Sequence, residues 1–281
     1  MAFTQTNRRF TVATPLSAEA LVLRQMTGQE KLSRLFEFDL ELHSDDIDIR
    51  HEDLLGENVT VSIELPDSEL RYINGFVSRI SMEGYEGRHV VYRATLSPWF
   101  WFLTRTSDCR IFQELTAPDI IKQVFNDHGF SDYEDRLTGT YKTWEYCVQY
   151  RETDLAFVTR LLEEEGIYYF FKHEKNKHTL ILSDYSKAYE KVALEPIDVI
   201  DGTHTEHKIS QWRHSYNFCS GSVSHTDYDF QAPSTSLMAE QQTIVDLPNI
   251  AQFEQYDFPG TYTEKSSGDN IARRRMESIE A

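Results

Sequence analysis

The clearest pattern along the chain is alternation. Phe36, Phe38, Leu40 and Leu42 interleave with Glu37, Asp39 and Glu41. That period of two predicts a strand with one buried face and one acidic solvent face. The same rhythm returns at Val59, Val61, Ile63 and Leu65 against Thr60, Ser62 and Glu64, and again at Val90, Tyr92, Ala94 and Leu96. Pro66-Asp67-Ser68 turns the chain, a further strand is predicted over 72–81, Gly84 and Gly87 bracket a hairpin, and Pro98 stops the last strand. Several short alternating strands at this spacing predict a barrel or sandwich over residues 1–105.

The period changes over residues 106–166. Pro118 opens a helix carrying Ile120, Ile121, Val124 and Phe125, with Gly129 just past its end. Thr153-Asp154 caps a second helix whose apolar stripe is Leu155, Val158, Leu161 and Leu162 and which Gly166 ends. This stretch is predicted to be a small, mainly helical insert. Residues 167–281 return to β character. Ile167–Lys172 and Thr179–Ser183 are predicted to pair across the polar turn Glu174-Lys175-Asn176-Lys177, with later strands near Ile209–Phe218 and Val223–Phe230. Ala232–Asn249 reads as irregular and Gly268–Ala281 as a helix containing Arg273-Arg274-Arg275. A β region, a helical insert and a second β region form a loose internal echo, consistent with two related barrels.

Composition narrows the class. With 281 residues, 40% apolar and only 12 Gly and 8 Pro, the chain has enough apolar side chain for real cores, and disordered or collagen-like models fail. The 13% aromatic content favours β structure. A net charge of −18, spread along the chain, repels phosphate backbones and anionic lipids, so neither nucleic acid nor membrane is an expected partner. Cys109, Cys147 and Cys219 are odd in number and widely spaced, which gives no disulfide framework or metal pair and fits reduced thiols. Met1–Arg9 has no apolar run, so no signal peptide is expected, and no run approaches the roughly 20 residues of a membrane helix.

Candidate chemistry is sparse. His204, His207 and His214, with Glu206 between them, lie close in sequence, but two histidines three apart in a polar loop are weak support for zinc. His173 and His178 are five apart in a predicted hairpin and do not match the helical zinc-protease spacing. Asp154 and the run Glu163-Glu164-Glu165 suggest a glycosidase acid pair, yet three consecutive helical acids point in different directions and Arg160 can pair with Glu163 and Glu164. Trp99-Phe100-Trp101-Phe102 is expected as a buried aromatic wedge between the first barrel and the insert, and the arginine triplet as a solvated face. No G-x-S-x-G, Walker A or G-x-G-x-x-G motif occurs. No catalytic residue, metal ligand or cofactor is therefore expected.

The central block reads Cys109-Arg110-Ile111-Phe112-Gln113, then Pro118-Asp119-Ile120-Ile121, then Glu145-Tyr146-Cys147-Val148-Gln149-Tyr150-Arg151-Glu152-Thr153-Asp154-Leu155-Ala156-Phe157. It continues through Arg160-Leu161-Leu162-Glu163-Glu164-Glu165-Gly166-Ile167-Tyr168-Tyr169-Phe170-Phe171. This block strongly resembles the N-terminal region of VgrG, the spike protein of bacterial type VI secretion systems. Leu54-Leu55-Gly56, Asn74-Gly75-Phe76-Val77, Pro98-Trp99 and Tyr256-Asp257-Phe258-Pro259-Gly260 support it on both sides. The resemblance implies a mainly β fold like the hub of contractile phage tails: two β-barrel tube domains with a helical insert. Residues 1–105 would be the first barrel, 106–166 the insert and 167–281 a second barrel incomplete at Ala281. It further implies a non-enzymatic, homotrimeric hub that docks on the Hcp hexamer, contacts baseplate and effector proteins, and is made in the cytoplasm and exported through the secretion apparatus. A carbohydrate hydrolase and a tail hub of a phage-like particle are the competing readings.

Overall fold

The computed structural model describes residues 4–65, 68–185, 188–189 and 212–280. The chain divides into two compact units, Met1–Ala193 and Leu194–Ala281. Among the described residues the fold is mainly β with three α-helices.

The first unit opens with six strands, β1 (Phe10–Ala13), β2 (Val22–Gln29), β3 (Glu37–Ser44), β4 (Asn58–Glu64), β5 (Leu70–Glu86) and β6 (His89–Ser97). They form one antiparallel sheet in the order β1-β4-β5-β6-β3-β2. The long β5 changes register against β6 between Val77 and Arg79 and between Met82 and Gly84, and β2 does so against β3 between Leu23 and Gln25. Such bulges bend strands and sharpen their twist. The sheet curls, and β1 and β2, at its two ends, approach one another. The alternation seen in sequence is real: Phe38, Leu40 and Leu42 of β3 and Val90, Tyr92, Ala94 and Leu96 of β6 face the core, with Glu37, Asp39 and Arg93 outside.

Residues 106–166 hold the two predicted helices and five short strands that the sequence pattern did not announce. In chain order these are β7 (Ser107–Phe112), β8 (Leu115–Thr116), α1 (Ala117–Asp127), β9 (Tyr133–Arg136), β10 (Thr143–Trp144), β11 (Cys147–Thr153) and α2 (Asp154–Glu165). β7 pairs with β11 and β8 with β10. The segment is mixed rather than mainly helical: β8, β9 and β10 are too short to display a period, and β7 and β11 carry Ile111, Val148 and Tyr150 on an exposed face. The helix ends follow their residues. The Thr116 hydroxyl accepts from Asp119 N–H, and the Thr153 hydroxyl accepts from Ala156 N–H at 3.1 Å. Gly166 sits at φ 70°, with Gly166 N–H donating to Glu163 O and Ile167 N–H to Leu162 O, a Schellman ending that needs the left-handed residue.

β12 (Tyr168–Glu174) and β13 (Lys177–Ser183) form the predicted hairpin, and β13 also pairs in parallel with β9. The buried faces of α1, α2, β12 and β13 join the same core as β3–β6. The aromatic run forms a 3₁₀ turn, Trp99–Thr104, at the centre of that junction. The Trp99 ring stacks on Phe130 at 4.6 Å and meets Phe125 edge-on, while Phe100 meets Phe125 and Tyr169. The wedge predicted from sequence is therefore present.

The second unit contains β14 (Ser222–His225), β15 (Ala239–Gln242), β16 (Glu254–Asp257) and α3 (Lys265–Glu280). β14 is central, antiparallel to β15 and parallel to β16, and α3 packs against β14 and β15. Three expectations are corrected here. Residues 212–218 form no strand, and 209–211 lie outside the described residues. The strand expected over 223–230 ends at His225, and the irregular stretch 232–249 contains β15. Gly268 lets α3 approach Tyr262, where a Cβ would lie 2.5 Å from the ring. No described helix is long and apolar enough to cross a membrane.

Candidate functional site

Two buried polar nodes hold the first unit together. The first centres on Asp154, the opening residue of α2, which is 3% exposed. Its Oδ1 accepts from Arg110 Nη2 and Gln149 Nε2, both at 2.7 Å. Its Oδ2 accepts from Thr106 Oγ1 at 2.8 Å and His128 Nε2 at 2.6 Å. Arg110 also donates to Gln149 Oε1 at 2.8 Å. Burial by itself would raise the carboxyl pKa, but the hydrogen bonds from Gln149, His128 and Thr106 and the Arg110 charge outweigh it and hold Asp154 below the usual carboxylate range. The helix N-terminus adds a favourable field. An Asp–His pair resembles part of a catalytic triad, yet among the described residues no nucleophile hydrogen-bonds to His128. Cys109 is exposed, and Arg110, next to it on β7, is the residue that turns inward to Asp154. With each oxygen already accepting twice, Asp154 fastens α2 to β7, β11 and the end of α1.

The second node centres on Asn74 of β5, which is fully buried. Asn74 Nδ2 donates to Asn58 Oδ1 at 2.7 Å and Thr60 Oγ1 at 2.9 Å. Its Oδ1 lies 2.8 Å from His178 Nδ1, and His178 Nε2 accepts from Trp99 N–H at 2.8 Å. That acceptance fixes the ring as neutral with its proton on Nδ1. Burial, helped by neighbouring His173, pushes the His178 pKa down to about 3. His173 Nδ1 accepts from Asn74 N–H at 3.1 Å, with Nε2 3.4 Å from Glu30. The two histidines face each other across the hairpin as a register pair and tie β12–β13 to the sheet and to the aromatic turn.

The remaining sequence candidates do not converge. Glu163 and Glu164 are exposed on α2. Arg160 takes Glu152 as its tight partner at 2.6 Å and the expected Glu164 at 3.7 Å, while the other expected partner, Glu163, does not pair with it. Glu163 borders a shallow cleft with Lys31 and Arg34, and no second carboxylate lines it. Acid–base glycoside hydrolysis needs two carboxyl groups about 5–9.5 Å apart. His204, Glu206 and His207 lie outside the described residues. His214 is exposed and accepts from Trp212 Nε1 at 2.6 Å. Arg275 pairs with Asp257 at 2.8 Å and Arg273 with Glu277 at 3.9 Å on the outer side of α3. All three cysteines are free, and burial raises the Cys147 thiol pKa. Sequence reasoning missed His128 and Thr106 as partners of Asp154. The signal for the others lay in the central block, where Arg110, Gln149 and Asp154 occur together.

What the molecule offers outward is surface. On the ribbon of β7 and β11, Ile111 faces Val148 and Cys109 faces Tyr150, all exposed. In the second unit Tyr216, Phe230 and Ile244 are 92%, 77% and 87% exposed.

The profile of the phage tail baseplate hub (GPD) family matches residues 29–281. The type VI secretion system spike protein VgrG1b of Pseudomonas aeruginosa is 44% identical over 287 aligned residues, covering all of this chain and 38% of that protein. VgrG1a of the same organism is 43% identical, covering 99% of this chain and 44% of that protein. The chain thus spans about two fifths of the length of the curated relatives it matches. Among solved structures, an Escherichia coli component of the type VI secretion system, described as similar to the T4 bacteriophage tail proteins gp27 and gp5, aligns with a TM-score of 0.56. It is 27% identical over 61% of this chain and 48% of that one. A tail protein from Neisseria meningitidis aligns with a TM-score of 0.58 over 96% of this chain and 77% of that one, at 12% identity, a likeness of fold.

Proposed function

Since the chain belongs to the phage tail baseplate hub family, among its VgrG members, we propose that it is the hub portion of a type VI secretion spike and acts as a structural part. The observation that carries this is similarity along the whole chain to spike proteins at 43–44% identity. In this reading three copies surround one axis, dock on the Hcp hexamer, contact baseplate and effector proteins, and leave the cell through the apparatus. Residues 1–105 form the first tube barrel, 106–166 form the insert and 167–281 belong to the second barrel.

The physical arrangement supports a mechanical role. Asp154, His173 and His178 fasten elements together inside the first unit, and apolar side chains such as Ile111, Val148 and Phe230 lie exposed on ribbons and loops. The test is genetic and biochemical. Deleting the gene from a host with an active type VI system is expected to abolish Hcp release into the medium, and restoring the whole gene to recover it. Unchanged Hcp release in a deletion strain that has no second spike gene would overturn the assignment.

A further inference from the structure

Away from both polar nodes, β3 and the end of β5 bring together Glu41, His43 and Glu86. Glu41 and His43 are two apart on β3 and share its outer face. His43 lies opposite Val91 of β6, which lies opposite Gly84 of β5, and β5 runs on to Glu86 at the hairpin tip. One ligand atom from each of the three lies within 4.8 Å of the others. His43 Nε2 is 3.4 Å from Glu41 Oε1 and 3.3 Å from Glu86 Oε2. A charge-assisted N–H···O bond closes to about 2.7–2.9 Å. These two separations are longer and nearly equal. Two atoms each about 2.0–2.1 Å from one zinc ion, at the tetrahedral angle, stand about 3.3–3.4 Å apart.

The surroundings suit a cation as well. The His43 side chain is 6% exposed, so its ring is held in place, while Glu86 is 65% exposed and leaves one side open to water. Arg93 Nη2 lies 3.7 Å from the other Glu41 oxygen and orients that carboxylate. His89 stacks 6.3 Å from His43 and is itself held by Asp45 at 2.6 Å. Two carboxylates drawn together in a chain of net charge −18 repel each other, and a divalent ion relieves that repulsion.

We propose that Glu41, His43 and Glu86 form a divalent-cation site, one imidazole nitrogen and two carboxylate oxygens with water completing the shell, suited to zinc or another first-row divalent ion. A bound ion clips the tip of the β5–β6 hairpin to β3 across β6; it is a structural staple. The sequence reading, which expects no metal ligand, could not reveal it, because Glu86 is remote from Glu41 and His43 along the chain and joins them only through strand register.

The experiment is a calorimetric titration of the metal-stripped chain with zinc chloride, run with the wild type, His43→Ala and Glu86→Gln, and a thermal melt of each with and without zinc. One saturable zinc equivalent of micromolar affinity is expected in the wild type, weakened at least tenfold in both variants, with a zinc-induced rise in Tm that Glu86→Gln loses. Glu86 is exposed, so its variant keeps the fold even if His43→Ala does not. No saturable binding, or binding and a Tm rise unchanged in Glu86→Gln, as exposed histidines such as His51 and His214 would give, would overturn the proposal.

Discussion

The two compact units use apolar side chains in opposite ways. In the first, Phe36, Trp99, Phe100, Phe125 and Phe157 are almost fully enclosed within one continuous core. In the second, the buried set is mostly small or sparse, led by Val223, Leu237, Ile250, Tyr262, Ala272 and Met276, while Tyr216, Phe218, Tyr228, Phe230, Phe253 and Phe258 face outward. The second unit exposes nearly as many large apolar side chains as the first in far fewer described residues. A domain that encloses its aromatics carries its own stability. One that displays them draws little of its own stability from them.

The largest way to break this contrast is at Asp154. Asp154→Ala leaves the Arg110 charge without its buried partner, and removing one side of a buried pair costs about 3–5 kcal/mol. Urea unfolding is expected to show the first unit's transition shifted far down with the second unit's unchanged. Paired truncations sharpen the contrast. Phe125→Ala, fully buried, should cost about 3–5 kcal/mol, and Phe230→Ala, exposed, about 0.5 kcal/mol or less. Equal losses would mean that Phe230 is covered within the isolated chain.

A third test uses pH. His178 is held at a pKa of about 3, against about 6.5 for a free histidine. Between those values the unfolded chain takes up a proton that the folded one refuses, so stability is complete above about pH 6.5 and falls as pH drops. The first unit should lose about 2 kcal/mol from this residue between pH 7 and pH 5. A urea midpoint that does not move over that range would contradict a buried neutral ring. A fourth test, milder than the Asp154 and Phe125 changes, is at Gly166. Gly166→Val forces a β-branched residue to φ 70° and should cost about 1–2 kcal/mol, read as a lowered melting temperature.

Legibility in the sequence tracked how many residues share one period. β3 and β6 alternate long enough to be read directly, and α1 and α2 carry full apolar stripes between a threonine cap and a glycine end. β8 and β10 are two residues each and are set by pairing across α1, which no local pattern encodes. In the second unit β14 is buried on both faces, so it shows no alternation, and the aromatics of 212–218 suggest a strand that does not form. Of the polar nodes, Asp154 was visible as a helix-opening acid, but Thr106 and His128 reach it only through tertiary packing. The family resemblance was legible because its central block spans both helices and the strands between them.

If this chain is the hub of an assembling spike, the protein forms trimers that bind Hcp. Light scattering coupled to size exclusion, with and without Hcp, checks this: a trimer alone and one trimer bound per Hcp hexamer when mixed are expected. A full-length protein that remains monomeric and elutes apart from Hcp would contradict it.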